Sequence, residues 1–211
     1  MLTLVRRFIN QAMWLLSHRE TIHSVPTGWS ANSGDLPLAK DRIVSALALL
    51  SATWPRWLHR TRPYAARIQV RRIIAYAGEW HRESRQVDLD HDYVCAEGRD
   101  AADIASTIVH EFTHARIDAA GIRYGPATRI RIERACVRQQ IAFTTRLPPS
   151  EANDRLAAGL RKQWERAPEL WSSAAAEERF ERAGRAVGMP NWLIRLGLRL
   201  RRWQESREGT A

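Results

Sequence analysis

Residues 100–121, DAADIASTIVHEFTHARIDAAG, are the most informative stretch of this 211-residue chain. Asp100 can cap a helix, and Asp103 three residues later completes a weak form of the capping box. Gly121 suits the C-terminal cap of the same helix. The stretch therefore predicts a helix over Ala101–Ala119, and this helix carries the pentad His110-Glu111-Phe112-Thr113-His114.

The two histidines of the pentad are spaced to bind one metal ion. Positions i and i+4 lie about 40° apart around a helix axis, so His110 and His114 point the same way, one turn apart. Glu111 lies one step round the helix, where its carboxylate can take a proton from a metal-held water. The pentad thus predicts a metal site with Glu111 as general base. The alternative is two ordinary helix histidines near a surface carboxylate.

A third metal ligand is needed, because catalytic zinc usually takes three protein side chains. No histidine follows His114, so a downstream ligand has to be acidic. Glu133 is preferred: 18 residues separate it from His114, and its predicted helix returns after a Gly/Pro loop. Its alternative is an exposed carboxylate among arginines. Asp118 suits support of His114 better than ligation. Cys136, one turn beyond Glu133, is weighed as a ligand against the commoner role of a small buried residue.

This pattern, His110-Glu111-x-x-His114 with Glu133-Arg134-Ala135-Cys136 after it, resembles the gluzincin class of zinc metallopeptidases. The resemblance covers residues 87–143, about a quarter of the chain. It implies a zincin-like fold in which His110, His114 and Glu133 bind Zn²⁺ and Glu111 is the base. It also implies that residues 87–90 supply a sheet edge for an extended peptide.

Two departures accompany the resemblance. The metzincin pattern fails, because Ala120 and Ile117 stand where it requires a histidine and a glycine. Val137 stands four positions beyond Glu133, where some gluzincin families have an acid that supports the ligand.

The class also uses a tyrosine or histidine to stabilise the oxyanion of the tetrahedral intermediate. Tyr124, in the loop between the two ligand helices, is the first candidate, and Tyr93 and His91 come next; packing or loop surface is the alternative for each.

The fold class predicted around this helix is α+β and mostly helical, with a small antiparallel sheet packed beside the zinc-ligand helix. Residues 67–76 form the best strand candidate, and residues 87–90 are expected to pair back against them after a turn near Gly78. Residues 22–36 are rich in Pro, Gly, Asn and Ser and predict a loop. Residues 2–17, 38–51 and most of the chain after 151 predict helices.

We expect one compact domain with three parts. These are an N-terminal helical segment at 1–66, a zincin-like core with the metal site at 67–148, and a C-terminal helical segment at 149–211. An apolar stripe in the last helix either docks on the domain or lies on an anionic membrane. It comprises Trp192, Leu193, Leu196, Leu200 and Trp203.

The net charge of +10 comes almost entirely from arginine, since Lys40 and Lys162 are the two lysines. Such a charge is typical either of a solvated basic surface or of a protein with an anionic partner, nucleic acid or membrane. No run of 18 apolar residues or signal peptide is found, and Cys95 and Cys136 are expected to be reduced. We expect a cytoplasmic protein, with peripheral membrane attachment as the alternative.

Together these features predict a zinc-dependent metallopeptidase that hydrolyses a peptide bond in a peptide or protein substrate. One alternative is a non-catalytic zincin-like module that binds nucleic acid or an anionic membrane through its basic face. Another is a metal-dependent hydrolase that acts on something other than peptides. The sequence indicates neither cleavage specificity nor oligomeric state.

Overall fold

The computed structural model describes residues 2–30, 35–73 and 76–208, without the side chains of residues 2–6, 201 and 203–208. The strands in these ranges are β1 (His18–Ile22), β2 (Val25–Trp29), β3 (Arg67–Arg71), β4 (Gly78–His81) and β5 (Gln86–Asp90). The helices are α1 (Leu2–Leu15), α2 (Leu36–Thr53), α3 (Pro55–Thr61), α4 (His91–Cys95), α5 (Ala101–Ala119), α6 (Arg129–Thr144), α7 (Glu151–Glu165), α8 (Ala167–Leu170), α9 (Ser173–Ala186) and α10 (Asn191–Glu208).

The predicted α+β, mostly helical fold class is confirmed, but the sheet is mixed and not antiparallel. Its strand order is β1-β2-β3-β5-β4. β5 pairs with β3 in parallel, Ile68 opposite Val87, whereas β4 pairs with β5 antiparallel. β4 was not predicted because its four residues, GEWH, begin with the glycine that was assigned to a turn and include no β-branched side chain. β4 forms the hairpin with β5, and β5 therefore enters the sheet parallel to β3.

The predicted loop at residues 22–36 is wrong, because β1 and β2 form a hairpin there. Its turn is His23-Ser24, and the positive φ of both residues, 46° and 64°, matches the turn type that joins twisted strands. Pro26 is tolerated because the pairing of β2 with β3 begins at Thr27. The segment at 1–66 is thus not only helical. Residues 31–34, and Ile74 and Ala75 of the predicted strand at 67–76, lie outside the described residues.

One face of the sheet builds the main core against α2 and α5. Ile68 and Leu89 on the sheet and Ile108 and Phe112 on α5 are fully buried there. The helix predicted over Ala101–Ala119 is confirmed, and its capping box is present: the Asp100 carboxylate accepts from the backbone N–H of Asp103. The pentad helix therefore has one side anchored in the core.

The opposite face of the sheet is polar and is covered by α1. The buried Asp88 carboxylate accepts hydrogen bonds from Arg71 Nε at 2.6 Å and from Gln86 Nε2 at 2.6 Å, and it contacts His81 Nε2 at 2.8 Å. These partners satisfy a charge that would be costly to bury alone. α1 turns Asn10 toward this network and leaves Phe8 exposed.

The C-terminal helices follow α6, and the last of them docks in an unexpected way. α10 packs on α9 through Ile194 and Leu198, which are buried. The predicted stripe, whose described members are Trp192, Leu193, Leu196 and Leu200, is exposed. The Trp203 side chain lies outside the described ones. None of the helices in the described ranges is long and apolar enough to cross a membrane.

Candidate metal centre

The two helices predicted to carry the ligands lie side by side and antiparallel. α5 ends at Ala119, and Gly121 just beyond it has a φ of 81°, the left-handed conformation that glycine favours. A short loop then leads into α6, where the Thr128 hydroxyl accepts from the backbone N–H of Gly125 at 3.1 Å. This return brings Glu133 of α6 opposite the histidine pair of α5, as the sequence predicts.

His110, His114 and Glu133 converge on one point. The two Nε2 atoms of the histidines are 3.1 Å apart. Glu133 Oε2 lies 3.1 Å from His110 Nε2, and Glu133 Oε1 lies 3.7 Å from His114 Nε2. Glu133 is buried and the histidines are partly buried. The exposed-carboxylate alternative for Glu133 is therefore wrong.

Burial and mutual contact shift the pKa values of the three clustered side chains. Burial acts to lower the pKa of His110, but the hydrogen bond to Glu133 and its negative charge outweigh burial and raise that pKa to about 9. Burial acts to raise the pKa of Glu133, yet the same contact holds it at about 2. Burial and the positive charge of His110 lower the pKa of His114 to about 4. Without metal, the cluster thus holds a carboxylate and one extra proton.

Gln140 contacts Nδ1 of His110 and so orients its ring. This role was not predicted from the sequence. Gln140 Oε1 lies 2.9 Å from His110 Nδ1, and Gln140 Nε2 donates to Ser106 Oγ at 3.0 Å. Because the amide N–H₂ of Gln140 donates to Ser106, its amide oxygen faces the His110 ring. This oxygen can only accept a hydrogen bond, so Nδ1 of His110 has to carry the proton. Nε2 then carries the lone pair that a metal needs. The sequence contains one signal for this role: Gln140 lies seven residues, or two helical turns, after Glu133 and therefore on the same face of the helix.

Glu111 lies beneath the edge strand β4. It is buried, and burial raises its pKa to about 7. A Cβ at Gly78 would lie 2.9 Å from Glu111 Cγ, so only glycine lets the strand approach this closely. Among the described residues nothing donates a hydrogen bond to the Glu111 carboxylate, which leaves it free to accept a proton.

The sheet edge beside the site is β4 and not residues 87–90. Those residues lie in β5, between β3 and β4, so both of their backbone edges are already paired. The expectation that they offer the substrate-binding edge is therefore wrong. The outer edge of β4, which pairs with no other strand in the described ranges, takes this place next to Glu111.

Tyr124 reaches the cluster from the loop between the ligand helices. Its hydroxyl donates to Glu133 Oε1 at 2.6 Å, and its ring packs edge-on against His114 with centroids 5.6 Å apart. Burial and the negative charge of Glu133 raise its pKa well above the usual range, so the hydroxyl keeps its proton. Tyr124 thus supports Glu133 by a hydrogen bond. Val137, which stands where some gluzincin families have a supporting acid, is buried and apolar and cannot do so.

Cys136 also lies at the cluster. Its Sγ and one nitrogen from each of His110 and His114 lie within 4.8 Å of one another. Burial raises its pKa well above the usual range, which keeps the thiol neutral. Glu133 Oε2 lies 3.1 Å from His110 Nε2 and is ionised, whereas the thiol of Cys136 is neutral.

The remaining candidates have other partners. Asp118 pairs with Arg82 and Arg123 and makes no described contact with His114. Tyr93 bonds through its hydroxyl to Thr107 Oγ1 at 2.8 Å, and His91 lies beside Asp92 and Cys95. Neither Tyr93 nor His91 contacts the histidine pair among the described residues. Both cysteines are free thiols.

Two imidazoles with a carboxylate form a donor set that suits Zn²⁺, and the buried cluster already accommodates one positive charge. A divalent cation in place of the proton on His110 would meet the same ligands and would add one net positive charge to the cluster. Comparisons of the chain with protein-family models, with curated proteins and with solved structures found no match.

Proposed function

We propose that this protein is a zinc-dependent metallopeptidase with His110, His114 and Glu133 as metal ligands and Glu111 as general base. The observation that carries the proposal is the contact of one carboxylate with two imidazole nitrogens, 3.1 and 3.7 Å away, beside a buried carboxylate with no described hydrogen-bond donor. Two ordinary helix histidines would not require this arrangement.

Each side chain of the site would have a separate role in hydrolysis. Bound zinc supplies a Lewis acid that lowers the pKa of a water molecule and polarises a carbonyl. Glu111 takes the proton of the attacking water and passes it to the leaving amine, a role suited to its pKa of about 7. The Tyr124 hydroxyl remains a donor and can stabilise the negative oxygen of the tetrahedral intermediate if it leaves Glu133. Gln140 holds the His110 ring in place.

The substrate would bind as an added strand. Among the described residues no strand pairs with the outer edge of β4, and an extended peptide can pair with such an edge through its backbone. Gly78 places this edge against Glu111, so a peptide on β4 would lie with its carbonyls close to a water that Glu111 can deprotonate. This geometry favours a peptide over a compact small molecule.

The test combines metal analysis with hydrolysis. We expect about one zinc ion per chain in the wild type and in Cys136→Ala, and loss of zinc in Glu133→Ala. Cys136→Ala is the matched control, because Cys136 is a donor on the same helix face one turn away. Zinc retained in Glu133→Ala, or lost in Cys136→Ala, contradicts the assigned ligands.

Activity is tested separately, by mass spectrometry of a peptide mixture incubated with each variant. Glu111→Gln should keep zinc and lose cleavage, since the amide cannot take a proton. A wild type that binds zinc but cleaves no peptide in the mixture would instead support the non-catalytic module.

A further inference from the structure

Helix α10 has two apolar faces, and the protein itself covers one of them. Ile194 and Leu198 are one turn apart and face α9, where both are buried. Trp192, Leu196 and Leu200 form a second row at the same spacing. Two residues along a helix correspond to about 200° of rotation, so this second row lies on the far side from α9. Its members are 65%, 45% and 54% exposed.

The orientation of α10 is set by close packing. A Cβ at Gly197 would lie 2.7 Å from the Phe180 ring, and a Cβ at Gly184 of α9 would lie 3.0 Å from Ile194. Two glycines thus let the helices approach through one face only. The exposed row cannot turn toward α9 without losing this contact, so it remains open to a partner.

The charges next to the exposed row favour one partner. Arg195 and Arg199 are exposed, and among the described residues neither forms an ion pair. The helix sequence contains no acidic residue before Glu205. Leucines and a tryptophan with arginines at their edge are typical of a helix that lies in the boundary of an anionic bilayer. A second copy of the chain, which has a net charge of +10 overall, would bring its own Arg195 and Arg199 to the same face.

We propose that α10 attaches this protein to an anionic lipid surface, with the row Trp192, Leu196 and Leu200 in the bilayer boundary and Arg195 and Arg199 on lipid phosphates. The helix lies in the plane of the surface and does not cross it. This attachment does not depend on the peptidase activity.

The test is flotation of the full chain with vesicles of phosphatidylcholine, with and without phosphatidylglycerol. We expect binding to the anionic vesicles, weaker binding to the neutral ones, and partial release by high salt. The combined variant Trp192→Ser, Leu196→Ser, Leu200→Ser should partition at least about tenfold more weakly, because each side chain loses apolar burial. These side chains are exposed, so circular dichroism should be unchanged.

The control variant removes exposed apolar side chains from the other end of the chain, Phe8→Ser with Leu15→Ser, which are 75% and 58% exposed. It should bind vesicles like the wild type. Binding lost in the control but kept in the α10 variant would overturn the proposal, as would a wild type that ignores anionic vesicles. A wild-type dimer that becomes monomeric in the α10 variant would also overturn it, since a second copy would then cover the row.

Discussion

Substitution of Gln140 by leucine should weaken zinc binding without unfolding the protein. The Gln140 oxygen lies 2.9 Å from His110 Nδ1, and the residue is 7% exposed. Leucine has a similar size but no acceptor, so the Nδ1 proton loses its partner. The His110 ring can then place its proton on Nε2, the atom that must bind the metal, and its orientation is less constrained.

The expected loss is roughly 10- to 100-fold in zinc affinity, which is typical for removal of a group that orients a metal-binding histidine. This corresponds to about 1.4 to 2.7 kcal/mol, in the range of an unsatisfied buried donor. The affinity is measured by competition with a chromophoric zinc chelator at constant pH.

Two variants control the measurement. Gln139→Leu makes the same chemical change one position away, where the side chain has no described contact with the site, and it should bind zinc like the wild type. Gln140→Glu keeps an acceptor oxygen and should retain affinity. If Gln140→Leu and Gln139→Leu differ by less than about twofold, in the absence of a difference in thermal unfolding, Gln140 does not orient the ligand and the reasoning fails.

Three further predictions concern the base, the tyrosine and the polar face of the sheet. Gly78→Ala puts a Cβ 2.9 Å from Glu111 Cγ, where ordinary contact begins at 3.4 Å, so kcat should fall roughly tenfold at unchanged zinc content; steady-state rates and metal analysis check this, and an unchanged kcat contradicts it. Tyr124→Phe should lower kcat by about 100-fold with a smaller effect on KM if the hydroxyl stabilises the oxyanion; equal kcat in both proteins would remove Tyr124 from the mechanism. Burial acts to lower the pKa of His81, but the hydrogen bond to Asp88 raises it above 6.5, so the pair stabilises the fold fully below about pH 6.5 and loses this contribution as pH rises through the folded-state pKa. The difference in unfolding free energy between wild type and His81→Gln, measured by urea titration, should therefore shrink between pH 6 and pH 9. A difference that does not change with pH would show that protonated His81 does not stabilise the fold through Asp88.

Local sequence signals were enough for the helix that carries the pentad. Asp100, Asp103 and Gly121 act within one turn of the helix ends, and the predicted bounds match the observed Ala101–Ala119. The facing of His110 and His114 follows from helix geometry alone. Such features depend only on residues that are close together in the chain, so they can be predicted from the sequence alone.

The sheet was less predictable, since strand order depends on contacts between distant residues. β4 is four residues long and has no β-branched residue, yet its position decides that β5 is an inner strand and that β4 is the edge beside Glu111. The His23-Ser24 turn escaped notice because neither residue is a usual choice at positive φ.

Helix α10 shows the same limit for apolar patterns. Its periodicity revealed an apolar row, but two rows compete on this helix, and the glycines at 184 and 197 decide which one packs on α9. Residue types and spacing along one helix thus establish which side chains share a face. Only the packing of helices and strands decides what that face meets, because contact depends on shape and distance between segments far apart in the chain. The contact of Glu133 with the histidine pair was predicted from the spacing of the motif, whereas the contact of Gln140 with His110 belongs to this second kind of information.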